Sequence, residues 1–293
     1  MSNVSGPANV TAQGWQPMLW YYYIECAAAP YGFIFYFAVK VFNLVLGFPA
    51  NALVMWHILT RKSEGSTSDV FIFNLAVLDS FFCLMTPIEL TNRLYLNNWG
   101  VWYLQRLSYG VKDTAPLFLT CICLDRYIAV VHPITFTNIR DNRIRVGISA
   151  MAWAMILAYA ITESILGIPS VTKVFTGLIL SVFIIMIFCN ASIIWVLRRN
   201  VMGKEAMNPV KKKAFKMVII LLVIIVVNYL PPVACMPFAS SYTFVQRHCQ
   251  VSVSVYSLMD LSSTVEPILY ISKMDKVNIC SCLKANKPVT VNA

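Results

Sequence analysis

Charge is scarce in this chain: 12% of the residues are charged, against 58% that are hydrophobic. A water-soluble domain carries about 25% charged and about 45–50% apolar residues. Half the usual charge and so large an apolar excess cannot be hidden in one aqueous core. An ordinary soluble enzyme or binding domain is therefore excluded, and lipid must be the solvent for much of the surface. Acidic residues are scarcer than basic ones, 13 against 23, which leaves a net charge of +10. No stripe of Lys or Arg interleaves with aromatic residues, so no nucleic-acid partner is expected. There are nine cysteines but no CxxC pair and no His-rich neighbourhood, which argues against a zinc site. No hydrolase triad, phosphate loop or metal-binding motif is present, so no enzymatic activity is expected.

Long apolar runs are what the chain does have. A membrane-spanning helix needs roughly 20 predominantly apolar residues. Seven stretches qualify, at about 32–58, 67–91, 103–131, 146–167, 171–198, 213–239 and 251–272. The reading is an all-α membrane protein: a seven-helix bundle over 32–272, an extracellular segment 1–31, and a cytoplasmic tail 273–293 beginning with a short amphipathic helix. No charged stretch precedes the first run, so no cleaved leader is expected.

Orientation follows from the basic residues that flank the spans. With the N-terminus outside, the inner connections hold Arg61 and Lys62, then Arg126, Arg140, Arg143 and Arg145, then a cluster from Arg198 to Lys216, then Lys273, Lys276, Lys284 and Lys287. The outer loops contribute only Arg93 and Arg247. This asymmetry puts the N-terminus outside and the tail in the cytosol. Two glycosylation sequons, at Asn3 and Asn9, fall on the outer side. Cys83, Cys121, Cys123, Cys189 and Cys235 lie in apolar runs and read as packing residues, whereas Cys26 and Cys249 are placed for an oxidising compartment.

Polar residues inside the spans are costly in lipid and should face the bundle interior. Their order resembles the rhodopsin-like G-protein-coupled receptors. Span one carries Gly47-Phe48-Pro49-Ala50-Asn51-Ala52-Leu53-Val54, and span two Asn74-Leu75-Ala76-Val77-Leu78-Asp79. Span three closes with Asp125-Arg126-Tyr127, span four holds Trp153, span six Tyr229-Leu230-Pro231, and span seven ends Glu266-Pro267-Ile268-Leu269-Tyr270. Asp-Arg-Tyr alone is a weak signal; the whole set in order is a strong one. Pro87 and the Pro-Ile-Leu-Tyr ending resemble the branch that holds purinoceptor-like, protease-activated and hydroxycarboxylic-acid receptors.

The resemblance implies a receptor that binds an extracellular ligand and activates a heterotrimeric G protein. It makes Asp125, Arg126, Tyr127 and Tyr270 the coupling switch, with Asp125 holding the Arg126 guanidinium at rest. Asn51, Asp79 and Glu266 would form a mid-bundle pocket for sodium and water. Two carboxylates close together in a low dielectric cannot both ionise cheaply, so either one keeps a proton or a cation sits between them. The ligand pocket would draw on Glu89, Gln105, Ser108, Tyr109, Lys112, Tyr229, Tyr256 and Asp260. Lys112 either pairs with Asp260, as Lys40 would with Glu89, or binds an anion of the ligand. Asp260 stands where opsins carry the retinal lysine, and Ser108 where aminergic receptors carry their Asp, so neither ligand class is expected. Span six, reading Pro232-Val233-Ala234-Cys235-Met236, lacks the His and basic residue that purinoceptors use on phosphates. Cys26 and Cys249 would form a second outer disulfide found in parts of the family, and tail Cys280 and Cys282 would either be palmitoylated or stay as ordinary thiols.

Several departures carry expectations of their own. No cysteine lies around Trp99–Arg106, and the connection between spans four and five, near Gly167–Ser170, is almost absent, so the usual outer-loop disulfide has lost both partners together. Lys211–Lys216 contains no acid to hold Arg126, which implies a weak resting lock and basal signalling. Val182 and Asn190 stand where the family has Pro and Tyr in span five. The readings weighed against a signalling receptor are a receptor-shaped protein that no longer signals, and a multi-span transporter; the latter should show internal repeats or broken helix pairs, and neither is present.

Overall fold

The computed structural model describes residues 26, 30–61, 67–96, 98–138, 141–201, 219–235, 238, 241–243 and 245–272, and among these there is no β-strand. Asn3, Asn9, Lys211–Lys216, Cys280, Cys282 and the amphipathic helix expected in the tail lie outside the described residues. The helices in chain order are α1 (Tyr31–Thr60), α2 (Asp69–Leu96), α3 (Trp99–Asp113), α4 (Pro116–Val131), α5 (Pro133–Asn138), α6 (Asn142–Leu166), α7 (Ile168–Val201), α8 (Ile219–Cys235) and α9 (Ser252–Ile271).

Five helical runs among the described residues are long and apolar enough to cross a membrane: α1, α2, α3 together with α4, α6 and α7. Over its described residues α8 is shorter but apolar. The 20-residue α9 buries Asp260, Ser262, Ser263, Thr264 and Glu266, which lower its hydropathy. The central elements are α2 and α3–α4, with 61% and 56% of their apolar stretches buried, against 28% for α1 and 33% for α6 and α7. The outward faces of those three helices show Trp56, Leu59, Ile165, Ile184 and Phe188. So continuous an apolar surface is stable only against lipid or a partner.

Prolines bend the helices where the polar residues must meet. Pro116 has no amide hydrogen to give to the carbonyl four residues back, so the third span breaks into α3 and α4. Around the break the backbone tightens: the Ala115 amide donates to the Lys112 carbonyl at 3.1 Å, and the Leu117 amide to that of Thr114 at 3.0 Å. Lys112 is thereby set in the last turn of α3. Wide π-turns at Asn43–Gly47, ahead of Pro49, and at Ile225–Tyr229, ahead of Pro231 and Pro232, do the same for α1 and α8.

Close packing fixes α6 on α3. A Cβ on Gly110 would stand 2.6 Å from the Ala160 Cα, so only glycine lets the two backbones approach this far. Trp153 then ties α6 to α2 by donating its indole hydrogen to Asn74 Oδ1 at 2.8 Å, and it meets the Phe118 ring of α4 edge-on at 5.7 Å.

The connection from α6 to α7 is a single residue. Gly167 has φ 80° and ψ 162° and donates its amide to the Glu163 carbonyl at 2.8 Å before α7 begins at Ile168. This backbone region is open essentially to glycine alone. Replacing Gly167 by alanine is expected to cost about 1–3 kcal/mol, read as a lowered thermal midpoint of the purified protein in detergent; an unchanged midpoint would show that the turn has another solution.

Candidate functional site

Buried polar side chains form three layers along the bundle. In the outer layer three helices meet on Glu89 of α2, and Lys40 extends the cluster to a fourth. Its Oε1 accepts hydrogen bonds from Arg93 Nε at 3.1 Å, Gln105 Nε2 at 2.9 Å and the Tyr109 hydroxyl, while Oε2 faces Lys40 Nζ at 3.1 Å. Lys40, from α1, also reaches Asp260 Oδ2 of α9 at 3.3 Å and lies 4.1 Å from the Phe82 ring centroid. Tyr36 closes the cluster through a 2.9 Å hydroxyl contact with Tyr109. Lys40 and Glu89 are each 1% exposed. Two cations and two carboxylates share the space, so the cluster is neutral and every charge has an opposite neighbour.

One layer deeper, Lys112 Nζ sits 2.7 Å from Asp79 Oδ1, with both side chains 1% exposed, and the Ser263 hydroxyl donates to the same oxygen at 2.8 Å. Tyr229 is fully buried, with its hydroxyl 3.0 Å from Ser262 Oγ and its ring centroid 5.8 Å from the Lys112 ammonium. Asn51 donates to the carbonyls of Gly47 at 3.0 Å and Ser263 at 2.9 Å, joining α1 to α9. Below lies a cavity of about 50 Å³ whose polar lining is Asn51, Asp79, Glu266 and Tyr270. Among the described residues none donates a hydrogen bond to Asp79 Oδ2 or to either carboxylate oxygen of Glu266.

The third layer is at the far end of α4. Asp125 Oδ1 accepts from Arg145 of α6, with Nη2 at 2.9 Å and Nε at 3.0 Å, and Oδ2 accepts from Thr67 at 2.8 Å and Ser68 at 2.6 Å. Arg126 is half-buried, within electrostatic reach of Asp125, Asp69 and Tyr270. The Tyr127 hydroxyl lies 3.3 Å from His132 Nε2, and its ring packs at 5.8 Å on Phe188 of α7.

Residues 50–168 match the family of seven-transmembrane receptors of the rhodopsin type. The human hydroxycarboxylic acid receptor 2 is 26% identical over 80% of this chain and 74% of its own length. A chicken purinoceptor is 27% identical over 84% of this chain and 78% of its own length. The human proteinase-activated receptor 3 is 31% identical, but the match spans 44% of this chain and only 36% of that receptor. Over these stretches the chain is similar to receptors of the rhodopsin-like family. That family is one of receptors rather than enzymes, and its members are multi-pass proteins of the plasma membrane.

In this chain the polar residues singled out from sequence fall into two groups. Glu89, Gln105, Tyr109 and Asp260 come together in the outer cluster. Ser108 bonds instead to the Gln105 carbonyl of its own helix at 2.7 Å, and Tyr256 is half-buried beside Asp113 and Glu163. Lys112 pairs with Asp79 and not with Asp260, because Lys40 already meets the Asp260 charge while Asp79 has no other cation among the described residues. Cys26 and Cys249 are joined as a disulfide that ties the N-terminal segment to the turn before α9.

Sequence reasoning missed Arg145 as the clasp of Asp125, and Glu163, which is 1% exposed against Gly110. A carboxylate inside an apolar run, Ile161-Thr162-Glu163, was the available signal for the second; none marked the first. The outer cluster makes a sharp prediction. Lys40→Met strands two buried carboxylates on one remaining cation and should cost about 3–5 kcal/mol. Adding Asp260→Asn should recover part of that loss in the thermal midpoint; an additive or neutral result would show that Lys40 does not bridge the helices.

Proposed function

We propose that this receptor crosses the membrane seven times with its N-terminus outside, binds an extracellular ligand in the outer half of the bundle, and activates a heterotrimeric G protein. Five apolar helices, the apolar α8 and the polar-lined α9 supply the crossings, and the basic residues gather on the side assigned to the cytosol. The ligand acts on the outer cluster, where Glu89 bonds Gln105 and Tyr109 and Lys40 links Glu89 to Asp260, so that four helices are joined. A ligand that exchanges any of these bonds changes how α1, α2, α3 and α9 are held together. The bend at Pro231 and Pro232 lets the inner half of α8 swing.

The observation that carries the coupling assignment is the fastening of Asp125. Arg145, Thr67 and Ser68 hold its carboxylate, so the end of α4 is pinned to α6 and to the start of α2. Arg126, next in sequence, presents a guanidinium that stays charged and donates several hydrogen bonds in one plane, the chemistry suited to gripping a helix end of the G protein. Tyr127 and Tyr270 flank it. Ligand shifts the population towards the form in which this end opens.

With the receptor on the cell surface, Arg126→Ala should abolish G-protein recruitment while leaving surface delivery intact. Coupling that survives the substitution would refute the role given to Arg126. A wild-type receptor that reaches the surface and recruits no G protein would favour the non-signalling reading, to which the one-residue α6–α7 connection lends some weight. Glycans on Asn3 and Asn9 belong to the same topology: removing them enzymatically should raise the gel mobility of wild-type protein and leave an Asn3→Gln/Asn9→Gln double variant unchanged. Lipid on Cys280 and Cys282 would anchor the tail.

A further inference from the structure

The resemblance leads one to expect a sodium ion beside Asp79, and the residues around Asp79 argue for a different cation. Asp79 Oδ1 is already held by the Lys112 ammonium at 2.7 Å and the Ser263 hydroxyl at 2.8 Å. The ammonium is 1% exposed, on a helix fixed by the Pro116 break below it and by the Gly110–Ala160 contact behind it. A second full positive charge within a few ångströms, in a medium of low dielectric, would be repelled by that ammonium.

We propose that Lys112 is the resident cation of this pocket, a counter-ion tethered to the chain that takes the place of sodium. The charge count closes without metal. Lys112 neutralises Asp79, and the one carboxylate left, Glu266, is neutralised by a proton shared with Asp79 Oδ2, which would satisfy polar atoms of both residues that otherwise lack a partner. The cavity below them, lined largely by Leu75, Ile122, Leu221 and Ile224, has room for water to complete the remaining bonds. Because the cation is covalently attached, its local concentration does not depend on the salt outside. The receptor's stability should then be indifferent to sodium as such. The inference does not depend on G-protein coupling, since its readout is the folded state itself.

The test is the thermal midpoint of the full chain in detergent, measured in sodium chloride and in choline chloride at equal ionic strength. The wild-type receptor should melt at the same temperature in both. Lys112→Met removes the ammonium and leaves two carboxylates facing an open site, so this variant should gain a sodium-specific rise of at least about 3 °C that saturates with concentration. Lys112→Gln, which keeps a hydrogen bond to Asp79, serves if the Met variant does not fold, and either variant folding only when sodium is present would support the proposal as well. Adding Asp79→Asn should abolish the acquired sensitivity. Sodium-specific stabilisation of the wild type would overturn the proposal, as would a Lys112 variant that folds and ignores sodium.

Discussion

A charge buried among lipid-facing helices has no water to turn to, so it must find its opposite inside the protein or not be buried at all. That constraint organises this helical bundle. Lys40 answers Glu89 and Asp260, Lys112 answers Asp79, and Arg145 answers Asp125. Each pairing crosses between helices distant in sequence, so each is also a strut. The outer cluster joins α1, α2, α3 and α9 at a level where a disulfide between α3 and the following outer connection is absent. The Cys26–Cys249 bridge secures the N-terminal segment against the approach to α9 but does not reach α3. A neutral ionic cluster thus takes over part of the work of holding that end of α3 in place. Asn98 helps, capping α3 by accepting from the Gly100 amide at 2.8 Å, while its own amide donates to Asn92 Oδ1 at 2.7 Å.

The backbone is shaped to serve these pairings. Pro116 interrupts the third span one turn below Lys112, and the π-turn ahead of Pro49 leaves Asn43 free to donate to the Asp260 carbonyl at 2.8 Å and to accept from Thr264 at 2.6 Å. The positive φ of Gly167 folds α6 back into α7 without a loop. Rather than an independent list of irregularities, the bends are what let polar atoms on separate rods converge at shared depths. The cavity lined by Asp79 and Tyr270 lies between the middle layer and the end where Arg126 lies.

Much of this was legible in the sequence because a membrane simplifies the reading. Apolar length marks helices, and the few polar residues within them mark the interior. Asn51, Asp79, Glu89, Gln105, Tyr109 and Asp260 stand out as polar residues in the spans, the resemblance assigns them to pockets, and all are buried or half-buried in the polar layers. What could not be read was which charge takes which partner. Lys112 stands on a stripe with Gln105, Ser108 and Tyr109, and one helical face cannot say whether an ammonium turns towards Asp260 or Asp79. That depends on Lys40 having reached Asp260 first, a fact of three-dimensional packing. Arg145 was equally hidden, since a basic residue at an inner helix end looks like any other residue that obeys the positive-inside rule.

The direction in which the chain is threaded decides which end of the bundle meets ligand and which meets the cytosol, so every functional role above follows from it. The direct measurement is antibody access to an epitope placed at the N-terminus and another at the C-terminus of the full chain in cells. The N-terminal epitope should be stained on intact cells, and the C-terminal one only after the plasma membrane is permeabilised. An N-terminal epitope reached only after permeabilisation would place Asp125, Arg126 and Tyr127 outside the cell, and the receptor mechanism could not stand.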